Sequence, residues 1–220
     1  YSVNIGNYDL FPEIVTMDDC SYVLITDSVD EPDDDIPWVI VRPTINEVDV
    51  KRLCLWYKTH PHILFPDAQF TIWIDSNIIL YPGSEKIFWA HEILSEIASG
   101  LHCERDCIYE ECDKVTELKL DKEDTVEQVK QELKEAGMPA HHGLYETNVL
   151  FSNNQDLGVR DFYKTWWSKI AVGSRRDQLS FTYAAWLHDI QITPLDVGCT
   201  VRNSRFFSKR PHIYTVGRKV

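Results

Sequence analysis

The sequence predicts an α/β protein with a mainly parallel central sheet flanked by helices, and three observations support this fold class. Short apolar runs typical of strands alternate along the chain with longer segments in which apolar residues recur at helical spacing. The run Phe70–Ile74 is almost continuously apolar, as expected of a strand covered on both faces of a sheet. Glycine, proline and polar turns separate these segments, and no repeat or long linker divides the chain. We therefore expect one domain over residues 1–220.

Local patterns predict the individual elements. The predicted strands are 2–6, 21–26, 38–41, 70–75, 78–81, 147–152, 190–195 and 212–216, and the predicted helices are 49–59, 84–99, 124–136, 159–171 and 176–188. Ser84 and Gly100 are suited to cap the second helix, and Thr125 and Gln128 have the spacing of a capping box in the third. Pro61 and the proline at 66 indicate an extended connection before the 70–75 strand. The acidic stretch 30–35 is interpreted as a solvated loop.

Composition excludes some classes of partner. A net charge of −13 provides no basic surface for nucleic acid or for an anionic membrane, and no apolar run is long enough to span a bilayer. The six cysteines occur without a visible signal peptide, so we expect free thiols in a soluble protein of the cytoplasm. His102, Cys103, Cys107 and Cys112 do not have the usual spacing of zinc ligands. The chain starts at Tyr1 without a methionine, which leaves open that it is a fragment of a larger protein.

The most informative motif follows the 70–75 strand. Asp75 and Asn77 are two residues apart, and in extended backbone their side chains share one face. A carboxylate and an amide oxygen at the carboxyl end of a strand suit Mg²⁺ or Mn²⁺. Asp75, Ser76 and Asn77 are also good turn residues, and the tripeptide taken alone favours that structural interpretation.

Five blocks, in order along nearly the whole chain, resemble a GT-A-type glycosyltransferase family. They are Asn4–Asp9, Tyr22–Asp27, Lys58–Pro66 with Thr71–Asn77, Gly143–Asn148 and Gly173–Phe181. The family includes plant cell-wall and mucilage proteins, bacterial members and enzymes of giant chlorella-type viruses. It implies a Rossmann-like GT-A domain. Asn77 departs from the usual Asp-x-Asp metal motif, because its amide offers an oxygen without the negative charge.

The resemblance implies a donor site that binds a UDP-sugar with Mn²⁺ or Mg²⁺. Its nucleotide pocket would use Tyr8, Thr26 and Asp27, with Lys58, Asp75 and Ser76 nearer the diphosphate. Arg52 is a second cation for the diphosphate, although a solvated helix face explains it equally well. The metal ligands would be Asp75, Asn77 and His212, with His188 as the alternative to His212.

The resemblance also implies an acceptor side and a catalytic pair. His102, Arg105 and Glu146 would contact the glycan acceptor, although a surface cluster of ion pairs also explains the loop that carries the first two. Asp177 and Gln178, at the start of a predicted helix, are the candidate catalytic residues. Asp177 would orient an acceptor hydroxyl or stabilise positive charge on the reacting sugar, whereas its position in a first helical turn is favoured by the helix dipole in any case.

These observations predict a metal-dependent glycosyltransferase of the hexosyl- or deoxyhexosyl-transferase class. It would move a sugar from a UDP-sugar donor to a glycan acceptor. The alternative is a non-catalytic nucleotide- or carbohydrate-binding domain on the same scaffold, because the second acidic metal ligand is missing. A phosphohydrolase is remote, since Asp27 and Asp75 are the only carboxylates at predicted strand ends.

Overall fold

The computed structural model describes residues 1–28, 37–45, 49–91, 96–195 and 204–212. Its first sheet is parallel and has the order β1 (Ser2–Asn4), β2 (Tyr22–Thr26), β3 (Trp38–Val41). The backbone of Tyr1 forms hydrogen bonds with the two residues that flank Trp73. Tyr1 N donates to Ile72 O at 2.6 Å, and Tyr1 O accepts from Ile74 N–H at 3.0 Å. This is the bonding pattern of a parallel pair, so the parallel arrangement continues into the next sheet.

The second sheet is mixed and contains β4 (Phe70–Ile74), β6 (Ile97–Leu101), β7 (Tyr145–Asn153) and β8 (Ile192–Pro194). Its order is β4-β7-β6-β8, with β7 antiparallel to both neighbours and β8 parallel to β6. A separate ribbon pairs β5 (Ile78–Leu80) antiparallel with β9 (Phe207–Lys209). Because β5 follows the β4 turn directly, the ribbon lies next to the carboxyl end of β4.

The helices of the described residues are α1 (Val50–Thr59), α2 (Pro61–Leu64), α3 (Glu85–His91), α4 (Ile108–Glu117), α5 (Glu123–Ala136), α6 (Leu157–Val172) and α7 (Gln178–Leu187). Helices α1, α6 and α7 pack on the sheets through a core that includes Phe162, Trp166 and Phe181, all fully buried. Within the described ranges, no helix is both long and apolar enough to cross a membrane.

The predicted α/β class is confirmed, as are several local assignments. Helix α1 begins after Asp49, whose carboxylate accepts hydrogen bonds from the N–H groups of Lys51 and Arg52. Helix α5 ends at Gly137, which has the left-handed conformation (φ 78°) that favours glycine. The five cysteines within the described residues are free thiols, and Cys199 lies outside them.

The predicted helix 84–99 is wrong in its second half. Helix α3 ends at His91, and strand β6 begins at Ile97, so Gly100 lies in a strand rather than at a helix end. The four strand residues 97–100 are all buried, and a short apolar run of this kind does not distinguish a buried strand from a buried helix. The Ser84 side-chain oxygen has no hydrogen-bond partner among the described residues, so it does not cap α3 as predicted.

One helix was missed and two further local predictions differ from the structure. Helix α4 was not predicted, although Ile108, Cys112 and Val115 form its buried face at helical spacing. Helix α5 begins before Thr125, so the predicted capping box is not used. Pro61 is the first residue of a short helix instead of part of an extended connection, a position that tolerates proline because no N–H is needed there.

Some predictions fall partly or wholly outside the described residues. These are the acidic loop 30–35, residues 92–95 in the middle of the predicted helix 84–99, and all but the first residue of the predicted strand 212–216. The first predicted strand is shorter than expected, because it ends at Asn4 and the chain turns at Gly6 and Asn7 with positive φ angles of 75° and 50°.

Candidate active site at the carboxyl edge of the sheet

Several chain segments converge at one edge of the sheet. Strands β1, β2 and β4 run in parallel, so their carboxyl ends share this edge. Strand β7 runs antiparallel to β4, which places its amino end here: Asn148 O accepts from Asp75 N–H at 2.8 Å. The first turn of α7 joins them through Asp177. The edge is the one at which ligands bind in open α/β sheets.

A β-bulge shapes the start of β7. Ser99 pairs with Leu150 while the next residue, Gly100, pairs with Glu146, so residues 147–149 have no partner in β6. Bulges of this kind redirect side chains and are common next to active sites. Here the bulge carries Thr147 and Asn148, and both side chains bond to acidic residues of the site.

Lys58, Asp75, Thr147 and Asp177 form what we call the lysine cluster. The Lys58 Nζ lies 2.7 Å from Asp177 Oδ2 and 3.7 Å from Asp75 Oδ1, and donates to Thr147 Oγ1 at 3.1 Å. Thr147 donates in turn to Asp177 Oδ2 at 2.8 Å. The Asp75 oxygens accept from Trp73 Nε1 at 2.7 Å and from Asn148 Nδ2 at 2.8 Å. A single ammonium group therefore stands between two carboxylates.

Because this cluster is buried, the charge of Lys58 has a strong effect on the pKa of Asp177. The Lys58 side chain is 3% exposed and its Nζ lies 5.3 Å and 5.8 Å from the ring centres of Trp73 and Trp166. Burial by itself would raise the pKa of Asp177, but the charge and hydrogen bond of Lys58, the Thr147 hydroxyl and the charge of Arg176 outweigh it and hold this pKa at about 2. Asp177 is therefore a carboxylate at any physiological pH.

Asp9, Ser76, Asn77 and His212 form a second group, the histidine cluster. The Asp9 carboxylate accepts from the Ser76 hydroxyl through Oδ2 and from His212 Nδ1 at 2.8 Å through Oδ1. Because an ionised carboxylate only accepts hydrogen bonds, Nδ1 donates in this contact, and in a neutral imidazole Nε2 is then the acceptor atom. Asn77 Nδ2 lies 3.4 Å from this Nε2 and donates to Arg210 O at 3.0 Å. Tyr8 packs against the His212 ring at a centroid distance of 4.5 Å.

The turn after β4 joins the two clusters. Extended backbone was expected at residues 75–77, but they form a turn, which the hydrogen bond from Ile78 N–H to Asp75 O at 2.9 Å closes. Asp75 consequently belongs to the lysine cluster, whereas Ser76 and Asn77 belong to the histidine cluster. The structural interpretation of the tripeptide as a turn was therefore right, and the turn still presents all three side chains to the site.

The donor atoms of the predicted metal ligands fit a hard cation. Asn77 Oδ1 is buried and has no hydrogen-bond partner among the described residues, an unusual state for an amide oxygen. A histidine that donates Nδ1–H to a carboxylate is typical of metal ligation, and a cation bound at Nε2 would replace the 3.4 Å contact with Asn77 Nδ2. Both Asp75 oxygens already accept one hydrogen bond, so Asp75 would use its remaining lone pairs. No cluster of three or more His, Cys, Asp or Glu side chains suited to a metal occurs in the described ranges.

The predicted nucleotide residues lie at the neighbouring strand ends. Asp27 Oδ1 accepts from Gly6 N–H at 2.8 Å, which ties the end of β2 to the turn after β1. The Thr26 hydroxyl accepts from Ser28 N–H at 3.1 Å. Burial and the charge of Asp9 raise the pKa of Tyr8, and the positive charge of Arg176 opposes them.

The predicted acceptor residues lie on the β6–α4 loop and on β7. Arg105 Nε donates to the buried carboxylate of Glu111 at 2.8 Å, and His102 Nδ1 accepts from the backbone N–H of Arg105 at 3.1 Å. Glu146 precedes Thr147 of the lysine cluster, and its carboxylate lies 3.9 Å from Cys103 Sγ. The structure thus joins His102 and Arg105 in one bonded loop.

The hydrogen bonds of three other predicted site residues show where each side chain lies. Gln178 Nε2 donates to Tyr145 O at 2.7 Å, which fixes this side chain beside Asp177. Arg52 donates to the backbone oxygens of Ile170 and Gly173, so it secures the end of α6 and does not enter the lysine cluster. His188 contacts Thr165 at 2.7 Å at the far end of α7, roughly 15 Å along the helix from Asp177.

Sequence reasoning did not select Asp9, Thr147 or Asn148. All three lie inside the blocks that carried the family resemblance, and Thr147 and Asn148 are polar residues at the head of a buried strand. Their position in the chain could have indicated that they belong to the site. The sequence did not reveal the bulge that directs Thr147 to Asp177 and Asn148 to Asp75.

Fold and site together define a class, namely α/β proteins of Rossmann-like type with a polar ligand site at the carboxyl edge of the sheet. The chain belongs to the family described as TOD1/MUCI70, glycosyltransferase-like domain, whose family model matches residues 38–197. The predicted resemblance to a glycosyltransferase family of plant cell-wall and mucilage proteins is thereby confirmed, and membership supports a role in glycosyl transfer. The matched range contains the whole lysine cluster. A search of curated proteins finds no match.

Proposed function

We propose that the chain transfers a sugar of the hexosyl or deoxyhexosyl class from a UDP-sugar to a glycan acceptor, assisted by Mn²⁺ or Mg²⁺. The observation that carries the proposal is the convergence of the lysine and histidine clusters on one turn, inside a glycosyltransferase-like domain. Asp177 in the lysine cluster is suited to a reacting sugar, whereas Asp75 and the histidine cluster are suited to a metal-bound diphosphate. The proposal agrees with the net charge, because a chain at −13 needs local cations to hold a diphosphate.

Asn77 Oδ1, His212 Nε2 and Asp75 would hold the cation, which when bound supplies charge stabilisation for the departing diphosphate. The Asp9 carboxylate would orient the His212 ring through Nδ1 and so present Nε2 as the metal-binding atom. Tyr8, Thr26 and Asp27 line the strand ends where the nucleoside would lie. Ser76 supports the same side by its hydrogen bond to Asp9.

Asp177 acts in the proposed reaction as a fixed negative charge. Transfer breaks the bond from the anomeric carbon to the diphosphate oxygen and forms one to the acceptor oxygen, with positive charge developing on the sugar between these events. The O–H bond of the acceptor hydroxyl breaks as well, and its proton goes to the departing diphosphate. A carboxyl with a pKa of about 2 is a poor proton acceptor near neutral pH. Its carboxylate instead stabilises the developing charge or accepts a sugar hydroxyl, while Lys58 and Thr147 hold it in place. Gln178, fixed beside it, would contact the same sugar.

The test is a calorimetric titration of UDP with and without Mn²⁺, followed by hydrolysis and transfer assays over a panel of UDP-sugars. The proposal predicts metal-dependent UDP binding together with turnover of at least one donor. Binding without turnover of any donor would favour the alternative, a non-catalytic nucleotide- or carbohydrate-binding domain, for which Asn77 in place of a second acidic ligand is the supporting observation. His102, Arg105 and Glu146 are the residues to substitute once an acceptor is found.

A further inference from the structure

Arg176 has no assigned role in the site, and one nitrogen of its guanidinium, Nε, lacks a hydrogen-bond partner in the described part of the chain. Its Nε is buried and has no hydrogen-bond partner among the described residues, which also provide no carboxylate within ion-pair distance of its side chain. Buried donors without a partner are rare in folded proteins, because each costs the free energy of its lost hydration. A buried donor that lacks a partner in the fold is therefore a candidate to bind a ligand.

The adjacent residue shows that this state is not a general property of the segment. Arg175 is 42% exposed in its side chain, and its Nη1 lies 3.2 Å from Asp49 Oδ2. Among the described residues, Arg175 therefore has an acidic partner, whereas the neighbouring Arg176 has none.

Arg176 directly precedes Asp177, and its charge reaches both ends of the proposed donor site. Its charge acts on Tyr8, at the nucleoside end beside His212, and on Asp177, at the sugar end beside Lys58. The group that joins a nucleoside to a sugar in a nucleotide-sugar is the diphosphate. A guanidinium in this position matches it in charge and in geometry, since its planar fork bonds two phosphate oxygens at once.

The backbone that carries Arg176 is held in place before any ligand binds. Asp121 Oδ2 accepts from the Ser174 hydroxyl at 2.7 Å and from Arg175 N–H at 2.9 Å, and Ser174 Oγ accepts from Arg176 N–H at 3.0 Å. Asp121 precedes α5, so a separate part of the fold positions the segment before α7. Because the backbone at Arg176 is already ordered, less conformational entropy is lost when the side chain binds a ligand.

We propose that Arg176 binds the diphosphate of the nucleotide-sugar and of the nucleotide product, a role that rests on the proposed function. It is a substrate-binding residue, distinct from the metal ligands. It recognises the second phosphate, so it discriminates a nucleoside diphosphate from the monophosphate. Arg52, the second cation considered for this role, is engaged with backbone oxygens of α6 instead.

The experiment measures the affinities of UDP and UMP, in the same Mn²⁺ buffer, for the parent chain and for Arg176→Gln, Arg176→Lys and Arg175→Gln. Loss of a charge-assisted contact should weaken UDP binding by about 10- to 100-fold in Arg176→Gln. UMP binding should change by less than about threefold, so the UDP-to-UMP preference falls. Arg176→Lys should recover part of the preference, because it restores charge without the fork. Arg175→Gln makes the same charge change beside it and should keep the parent preference.

The outcomes separate the two proposals. If the parent chain prefers UDP and Arg176→Gln keeps that preference, the role of Arg176 is wrong and the proposed function stands. If the parent chain binds neither nucleotide with Mn²⁺, the proposed function fails and the role of Arg176 fails with it. Should Arg176→Gln not fold, as judged by thermal unfolding, Arg176→Lys decides the question: an unchanged preference in that variant overturns the proposal.

Discussion

Replacing Lys58 by methionine tests the electrostatic reasoning about the lysine cluster most directly. Methionine keeps the length and apolar packing against Trp73 and Trp166 but removes the charge that neutralises Asp177. Removing one partner of a buried ion pair typically costs about 3–5 kcal/mol, because the other charge stays buried without compensation. The Asp177 side chain is still 17% exposed, so we expect the lower end, about 3 kcal/mol of unfolding free energy.

The assay is urea unfolding at pH 7, with Lys164→Met as the matched control. Lys164 Nζ also lies 2.7 Å from a carboxylate, that of Asp161, but these side chains are 64% and 56% exposed. Since exposed pairs contribute little, the control should lose less than about 1 kcal/mol. The double variant Lys58→Met/Asp177→Asn should regain much of the loss, because both charges are then gone. Equal losses for Lys58→Met and Lys164→Met would refute the reasoning.

The pH dependence provides an independent check of the same pair. The folded-state pKa of Asp177 is depressed to about 2, so its stabilising contribution is present above its usual pKa near 3.8 and is lost as pH falls towards 2. The difference in unfolding free energy between the parent chain and Lys58→Met should therefore be largest at neutral pH and should narrow below about pH 4. A difference that stays constant down to pH 2 would show that the charge of Asp177 is not its source.

Four further variants have specific expected outcomes. Asp75→Ala should remove the Mn²⁺-dependent part of UDP affinity and also lower unfolding free energy by about 1–3 kcal/mol, as two donors lose their acceptor; unchanged Mn²⁺ dependence would contradict the metal assignment. Asn77→Asp should keep or strengthen Mn²⁺ binding, and a large loss would show that Asn77 acts through its N–H groups. Asp177→Asn should lower turnover by at least about 100-fold with little change in UDP affinity, because a transition-state charge is lost; unchanged turnover would reduce Asp177 to a structural residue. Burial, with the positive charges of His60, Arg160 and Lys164, lowers the pKa of His62 to about 4, so folding stability should fall as pH drops from about 6.5 to 4, and His62→Gln should flatten that slope in urea unfolding.

The sequence was sufficient for the α/β class and for most elements, because hydrophobic periodicity and capping are local properties. Helix α1 shows this well, since Asp49 and the spacing of its apolar residues both belong to the segment itself. Strand β6 shows the limit. Ile97 and Ala98 are apolar in either state, and only their pairing with β7 and β8 decides that they form a strand.

In the candidate site too, local sequence predicted some features and tertiary contacts decided the others. Asp75, Asn77, Asp177 and His212 were selected from residue type and motif, which the sequence contains. The tertiary structure alone decided their partners: Lys58 and Thr147 contact Asp177 across 119 and 30 residues, and Asp9 contacts His212 across 203. It also decided that, within the described part of the chain, Arg175 has an acidic partner and Arg176 has none. Such long-range pairings follow from sheet order and from the bulge in β7, which arise only when distant segments pack, whereas turns and caps depend on neighbours in the chain.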